Sequence, residues 1–260
     1  MTKKSVSYII YHNETFNATT EQDNMNFIAH RGYSAKWTEN TIPAFKAVLE
    51  NRFFPENIIG IELDIQLTAD KKMIVFHDIA VEKIPVAQID YKTLCLKLAS
   101  REIPLFGDVL DFIAHRTALY VEIKDGAYDK DILIADLKSL LKKYTPANDI
   151  IIHSFSVEIM KKALRKLSSP GIEFGFLCSN NESIVSAGED FIAGMNYIHP
   201  QAKFLLENEE NFLKYGKTLN NVWTVNDIDT LNKLKNSKCA HLIKAITTDN
   251  LELIGKSQEQ

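Results

Sequence analysis

Strand-like and helix-like segments alternate along most of this chain. Longer segments with apolar residues at helical spacing, such as DKDILIADLKSLLKKY and VEIMKKALRKL, separate short runs rich in Val, Ile and aromatic residues. Nine such runs are strand candidates: FIAH (27–30), IGIELDIQL (59–67), MIVFH (73–77), ALYVEIK (118–124), DIIIHS (149–154), IEFGFL (172–177), MNYIHP (195–200), NVWTV (221–225) and LIKAITT (242–248). This alternation predicts a parallel sheet with helices packed outside it.

The length of the chain, 260 residues, is that of a single α/β barrel domain. We therefore predict an α/β protein with a (β/α)₈ TIM barrel over residues 27–260, preceded by an N-terminal extension of residues 1–26. Within the extension, SVSYIIYHN is a candidate for an extra strand. Nine strand candidates are one more than a barrel requires, so one is expected at an edge or rim. An open doubly wound sheet is the alternative, but no glycine-rich nucleotide loop follows the first strand.

The composition is that of a soluble globular protein, with 45% hydrophobic and 25% charged residues. A net charge of −4 with scattered Lys and Arg gives no reason to expect nucleic-acid binding. No apolar run approaches the roughly 20 residues that span a bilayer, and YIIY is too short for a signal peptide. Three widely spaced cysteines without metal spacing, Cys95, Cys178 and Cys239, fit a reducing compartment. We expect a cytoplasmic location.

Ionisable residues gather where candidate strands end, and barrel enzymes carry their catalytic groups at the carboxyl ends of strands. The separation of Glu62 from Asp64 by two residues places both on one strand face, and the same holds for Glu122 and Lys124. Charged pairs of this kind on successive strands are poor packing residues. The first four candidate strands together contribute seven residues: His30, Arg31, Glu62, Asp64, His77, Glu122 and Lys124.

The connection between the second and third candidate strands is TADKK, which is too short for a helix. If Asp70-Lys71 forms a two-residue turn, position 69 pairs with 72 and position 64 with 77. Asp64 and His77 would then be neighbours on one face. If the two strands are parallel instead, both groups still lie near strand ends. Either arrangement predicts that these two side chains are close.

Three carboxylates at one site, Glu62, Asp64 and Glu122, would repel one another unless a cation lies among them. Two carboxylates about 4 Å apart repel by about 4 kcal/mol at an effective dielectric near 20. An all-oxygen ligand set without Cys suits Mg²⁺ or Ca²⁺. The two strand-end histidines can act as acid and base near neutral pH. Arg31 and Lys124 supply positive charge for an anionic substrate.

Several segments resemble, in order, the motifs of the glycerophosphodiester phosphodiesterase family: HRGYSAKWTENTIPAF, IELDIQLTADKKMIVFHD, VEIK, HSF, WTVND and ITTDN. The resemblance implies a barrel of the phospholipase-C-like phosphodiesterase type. It also implies one divalent cation and hydrolysis of glycerophosphodiesters to sn-glycerol 3-phosphate and an alcohol. By motif, His30 and His77 match the catalytic pair. The implied metal ligands are Glu62, Asp64 and Glu122, and the implied phosphate contacts are Arg31 and Lys124.

Three further residues are candidates for supporting the site. Glu39 lies in the loop that backs the first strand, just before Thr41, a candidate N-cap for the following helix. Phe155 and Trp223 are candidates for walls of the alcohol pocket, and as single aromatic residues they suit the core equally well. The family's Thr-Leu-x-Arg-Thr run after the third strand is missing, and a compact insertion precedes Ile103-Pro104. The leaving alcohol therefore stays open.

Two rival functions fit parts of the same pattern. A lysophospholipase D or sphingomyelinase D-like enzyme would need an apolar groove for an acyl chain, and no long exposed apolar stretch is evident. A non-catalytic phosphoester-binding module would usually lack a histidine or a carboxylate of the set, and all five are present. The pattern leaves open whether water or a glycerol hydroxyl attacks, which histidine is the acid, and the oligomeric state.

Overall fold

A computed structural model describes residues 25–113, 115–144 and 150–258. His12 and the strand candidate in SVSYIIYHN lie outside these residues, so the N-terminal extension stays a prediction. The described strands are β1 Asn26–Ala29, β2 Ile58–Leu67, β3 Met73–Val75, β4 Ala80–Val81, β5 Ile84–Pro85, β6 Ala118–Ile123, β7 Ile150–Ser154, β8 Ile172–Cys178, β9 Tyr197–Pro200 and β10 Ala245–Thr248. The described helices are α1 Ile42–Leu49, α2 Tyr91–Lys97, α3 Phe106–Ile113, α4 Lys130–Leu141, α5 Val157–Leu167, α6 Asn181–Ala187, α7 Glu189–Gly194, α8 Ala202–Glu207, α9 Glu209–Tyr215, α10 Ile228–Lys235 and α11 Glu252–Gln258.

Parallel strands form a closed barrel, as the alternation predicts. Seven of them lie in the order β10-β1-β2-β6-β7-β8-β9. Residues 219–225 close the ring, because Gln201 bridges to Trp223 on one side and Val222 bridges to Ile246 on the other. The predicted (β/α)₈ barrel is confirmed, with this short, irregular segment as its eighth member.

The extra strand candidate is a rim piece outside the barrel. Strand β3 runs antiparallel to β2, with Leu67 opposite Met73, and β2 pairs directly with β6. The predicted two-residue turn is wrong by one residue. Thr68 donates its N–H to the Lys72 carbonyl at 3.1 Å, and Lys71 adopts a left-handed φ of 58°. The loop therefore has three residues, and the shift places Phe76 rather than His77 opposite Asp64.

The helices cover the barrel with one apolar face each. In α5 the buried positions Ile159, Met160, Ala163 and Leu167 follow helical spacing. Thr41 caps α1 as expected, with its side chain accepting from the Ala44 N–H at 3.4 Å. No helix of the described residues is long and apolar enough to cross a membrane.

The short insertion predicted after the third strand forms a separate layer on the barrel mouth. It contains the β4–β5 hairpin and α2. Its buried residues Val86, Leu94 and Ile103 pack against Ile74 and Phe76 as a cluster distinct from the main core. Because this layer begins directly after His77, it shapes the surface beside that histidine.

Candidate active site

The acidic residues meet because β2 and β6 are neighbours in register. Asp64 lies opposite Glu122 across the two strands, and Glu62 precedes Asp64 by two residues on the same face. One oxygen of each of Glu62, Asp64 and Glu122 lies within 4.8 Å of the other two, and all three residues are buried. The parity argument from sequence therefore holds for Glu62 and Asp64, and the pairing of β2 with β6 adds Glu122 to them.

The carboxylates do not share one electrostatic environment. Burial raises the pKa of Glu122 to about 7, with repulsion from Asp64 adding to the rise. Burial, together with Asp64 and Glu122, also raises the pKa of Glu62 well above its usual value. Burial pushes the pKa of Asp64 upward as well, but Lys124 and Arg31 outweigh it and bring that pKa to about 2. Lys124 Nζ lies 2.9 Å from Glu122 Oε1 and 3.4 Å from Asp64 Oδ1.

This cluster fits a hard divalent cation. Asp64 Oδ1 is buried and makes no hydrogen bond within the described part of the chain. Lys124 Nζ, 3.4 Å away, is its ion-pair partner. Three carboxylates, one of them with an oxygen that lacks a hydrogen bond, form an all-oxygen donor set, which Mg²⁺ and Ca²⁺ prefer. Without a cation, burial and mutual repulsion favour the protonated forms of Glu62 and Glu122, which is why the pKa of each is raised.

Arg31 is held at the edge of the cluster by other carboxylates. The backbone N–H of Arg31 donates to Glu62 Oε2 at 3.1 Å, and the side-chain Nη1 donates to Glu39 Oε2 at 2.8 Å. Its Nε lies 3.2 Å from Asp64 Oδ2. Arg101 contacts Glu39 from the other side at 3.2 Å. Glu39 therefore positions the Arg31 guanidinium, and phosphate binding by Arg31 stays a prediction.

The histidine that ends β1 is oriented by a network that the sequence did not assign. His30 Nδ1 lies 2.6 Å from Asp249 Oδ1. Asp249 also accepts from Ser34 Oγ at 2.9 Å and from Asn226 Nδ2 at 2.6 Å. His30 Nε2 consequently faces the cluster, 3.9 Å from Glu62 Oε2. Asp249 and Asn226 belong to the ITTDN and WTVND motifs, so the motifs were a signal, but the pairing needed the closed barrel.

The second histidine lies further out. His77 Nδ1 is 2.9 Å from Asp78 Oδ1, and the His77 side chain is 34% exposed against 17% for His30. Both rings line one cavity of about 490 Å³. Glu62, Glu122, Lys124 and Arg31 line the same cavity, while Asp64 lies buried beneath it. The predicted proximity of His77 to the acidic cluster therefore survives the error in register.

Asn40 is a site residue that sequence reasoning passed over. Its Nδ2 donates to Asp64 Oδ2 at 2.7 Å, and its Oδ1 accepts from the Asp64 N–H at 3.3 Å. Asn40 is fully buried with a left-handed φ of 58°, a conformation that Asn tolerates better than most residues. Asn40 lies within the motif HRGYSAKWTENTIPAF. Only the tertiary contact shows that its side chain orients Asp64.

A pair of buried histidines lies at the cavity, which His153 lines. His153 and His199 face each other with their Nδ1 atoms 3.0 Å apart. Burial lowers the pKa of His153 to about 3 and that of His199 well below its usual value, so both rings are neutral. His153 Nε2 lies 4.0 Å from Glu62 Oε1. His199 is fully buried.

Gly175 makes room for this pair, and replacing it by alanine should destabilise the fold. A Cβ at position 175 would lie 2.2 Å from His199 Cε1. We expect Gly175→Ala to lower the free energy of unfolding by about 1–3 kcal/mol, because overpacked cores must shift. Urea denaturation would measure this. Gly194→Ala is the control, since its Cβ would meet no atom within 4 Å; equal stability of the two variants would contradict the crowding.

The two aromatic candidates form one corner of the cavity. The rings of Phe155 and Trp223 are perpendicular, with centroids 5.5 Å apart, and both line the cavity. Trp223 Nε1 donates to the His199 carbonyl at 2.9 Å, which fixes the indole. Phe155 is 41% exposed. Neither residue belongs only to the core, and a role as pocket wall stays a prediction for both.

A (β/α)₈ barrel with buried carboxylates and histidines at the carboxyl ends of its strands is the arrangement of a TIM-barrel enzyme. Residues 30–253 match the model of the glycerophosphoryl diester phosphodiesterase family. The chain belongs to this family.

Similar proteins agree with this assignment. An uncharacterised protein of Mycoplasma genitalium is 30% identical over 75% of this chain and 84% of its own length. A glycerophosphodiester phosphodiesterase of Caldanaerobacter subterraneus subsp. tengcongensis is 31% identical over 58% of this chain and 65% of its own. The structure of an Oleispira antarctica phosphodiesterase in complex with the product sn-glycerol-3-phosphate superposes with a TM-score of 0.70. It has 20% identity and covers 90% of this chain and 97% of that one.

Proposed function

We propose that this protein is a metal-dependent phosphodiesterase that hydrolyses glycerophosphodiesters to sn-glycerol 3-phosphate and an alcohol. One observation carries the proposal. Two histidines, each with Nδ1 beside a carboxylate, line the same cavity as Glu62 and Glu122 of the buried carboxylate cluster. Family membership and the product complex of the Oleispira antarctica relative support the same substrate class. The cytoplasmic location stays a prediction.

Glu62, Asp64 and Glu122 would hold one Mg²⁺ or Ca²⁺. The ion would supply Lewis-acid polarisation of a phosphoryl oxygen. Asn40 and Arg31 keep the Asp64 carboxylate in place through their contacts with Oδ2. Lys124, 11% exposed at its side chain, lines the cavity together with Arg31, so a phosphoryl group entering the cavity can reach a cation, which supports the predicted phosphate contacts.

The two histidines divide the proton transfers according to their positions. His30 presents Nε2 to the inner cavity while the Asp249 carboxylate holds Nδ1, so His30 can take a proton from the attacking hydroxyl. His77 lies at the outer edge and can give a proton to the departing alcohol oxygen. A new oxygen–phosphorus bond forms and the bond from phosphorus to the alcohol oxygen breaks. The attacking group is water, or the neighbouring glycerol hydroxyl, in which case a cyclic phosphate forms first and water then opens it to sn-glycerol 3-phosphate.

The proposed function is tested by metal removal and a substrate panel. Activity on glycerophosphodiesters should vanish in excess chelator, once metal removal is confirmed, and return with Mg²⁺ or Ca²⁺. Comparing glycerophosphocholine with lysophosphatidylcholine separates this enzyme from a lysophospholipase D. Full activity of the metal-free protein would contradict the proposed metal dependence. If the protein turned over none of the phosphodiesters, a non-catalytic phosphoester-binding module would be the better description.

Asp249→Asn tests the positioning of His30. Asp249 Oδ1 lies 2.6 Å from Nδ1 of His30, and an amide in its place would hold the ring less firmly. We expect kcat to fall, by less than in His30→Ala, while KM changes little, because the position of Nε2 matters mainly in the transition state. Asp229→Asn, at an exposed carboxylate on α10, is the matched control. An unchanged kcat, or a rise in KM alone, would mean that Asp249 does not position His30.

A further inference from the structure

The insertion on the barrel mouth contacts the loop after β1 through the side chain of Arg101. This residue follows α2, and its backbone N–H donates to the Leu98 carbonyl at 2.8 Å. Its Nη2 donates to the Glu39 carbonyl at 3.0 Å and to Glu39 Oε1 at 3.2 Å. Arg101 therefore holds both the backbone and the side chain of Glu39.

An aromatic ring keeps Arg101 in this position. The Arg101 side chain is 20% exposed, and its guanidinium carbon lies 4.9 Å from the centre of the Phe76 ring. Phe76 is buried, and its backbone N–H donates to the Asp64 carbonyl at 3.0 Å. A guanidinium is attracted to an aromatic face at this distance. Arg101 is thus a fixed charge beside the site and differs from a mobile surface arginine.

Charges of alternating sign connect Arg101 to the cavity. Glu39 Oε2 accepts from Arg31 Nη1 at 2.8 Å. Arg31 Nε in turn lies 3.2 Å from Asp64 Oδ2, and Lys124 Nζ lies 3.4 Å from Asp64 Oδ1. Arg31 and Lys124 line the cavity, whereas Arg101 does not. Any effect of Arg101 on a molecule in the cavity therefore passes through Glu39 and Arg31.

The guanidinium of Arg31 contacts two carboxylates, which compete with a phosphate for its charge. Each of these carboxylates has a second cation as a partner. Arg101 is that partner for Glu39, and Lys124 is that partner for Asp64. Because Arg101 offsets the charge of Glu39, Arg31 keeps an attraction for an anion that enters the cavity. Without Arg101, the charge of Glu39 would act on Arg31 alone.

We propose that Arg101 is a positioning residue for phosphate binding, which keeps the Arg31 guanidinium available to an anionic phosphoryl group by offsetting the charge of Glu39. The inference rests on the proposed function and on the predicted phosphate contact of Arg31. It goes further by adding a residue from the insertion, the segment in which the chain departs from the family's motifs.

Arg101→Met tests the proposal, because methionine keeps an unbranched side chain near Phe76 and removes the charge. With the full chain and added Mg²⁺ or Ca²⁺, we expect the inhibition constant of sn-glycerol 3-phosphate to rise about 5-fold, the upper range for a partly exposed ion pair. KM for glycerophosphocholine should rise as well, and kcat should change far less, because the phosphoryl group is held before and during the reaction. Arg101→Lys keeps the charge and should lose less affinity.

Combining Arg101→Met with Glu39→Gln separates charge compensation from a purely structural contact. The double variant lacks the carboxylate that Arg101 offsets, and a glutamine oxygen can still accept from Arg31 Nη1. We therefore expect it to recover most of the affinity for sn-glycerol 3-phosphate that Arg101→Met loses. If Arg101 served only the fold, the double variant would bind the product at least as weakly as Arg101→Met, and that result would overturn the proposal.

Arg116→Met is the matched control. The Arg116 guanidinium carbon also lies 4.9 Å from the centre of a phenylalanine ring, that of Phe112, but Arg116 donates to the backbone carbonyls of Phe112 and Ile113 and does not line the cavity. The control should keep the wild-type KM and product affinity. Unchanged product affinity in Arg101→Met would overturn this inference and leave the proposed function standing. Absence of turnover of every glycerophosphodiester by the wild-type protein would overturn both.

Discussion

His77→Ala is expected to lower kcat by about 10²–10⁴-fold, the usual contribution of a positioned acid or base. His77 is the outer of the two histidines that line the cavity, and its Nδ1 lies 2.9 Å from Asp78. A group that transfers a proton acts mainly in the transition state, so KM should change far less than kcat. His30→Ala is expected to give a loss of the same order. Steady-state kinetics on a glycerophosphodiester would measure both.

Two control measurements test whether the loss of kcat comes from the missing catalytic imidazole. His241→Ala removes an exposed imidazole that does not line the cavity and should keep the wild-type kcat. Metal affinity should be unchanged in His77→Ala, since the carboxylate cluster is intact. If either active-site variant retained a near-normal kcat, that histidine would be a bystander.

Loss of one carboxylate should nearly abolish metal binding. Glu62→Ala and Asp64→Ala each remove one of the three proposed ligands, and a change this close to the proposed ion should cost more than the 10–100-fold that outer contacts do. Asp64→Asn and Glu62→Gln keep the shape of the site. They control for misfolding, because in Asp64→Ala both Arg31 and Lys124 would lose a buried hydrogen-bonding partner. Isothermal titration with Mg²⁺ and Ca²⁺ would test all four. Unchanged affinity in both isosteric variants would remove these residues from the ligand set.

The same cluster predicts how metal binding depends on pH. Burial raises the pKa of Glu122 to about 7 in the metal-free protein, above its value in an unfolded chain. The stability that this group contributes is therefore present below the unfolded pKa and is lost as pH rises through about 7. A cation removes that loss by binding the ionised form. Metal should raise Tm more at pH 8 than at pH 6, and an equal rise at both would contradict the raised pKa.

Much of this site could be predicted from local sequence, because side-chain direction in a strand repeats every two residues. That period determined that Glu62 shares a face with Asp64, and Glu122 with Lys124. The alternation of strands and helices determined the barrel, and the barrel brings strand ends to one mouth whatever their separation along the chain. These conclusions needed no knowledge of which distant strands pair.

Tertiary structure decided whatever depends on register and closure. The β2–β3 loop has three residues rather than two, and Lys71 adopts a left-handed conformation in it. The dipeptide Asp70-Lys71 does not by itself reveal this loop length. The contact of His30 with Asp249 spans 219 residues and that of His153 with His199 spans 46. No local pattern encodes such partners, since each depends on where two separate strands end in the closed ring. Asn40 likewise reaches Asp64 through tertiary structure, because the loop after β1 lies beside β2, its neighbour in the barrel.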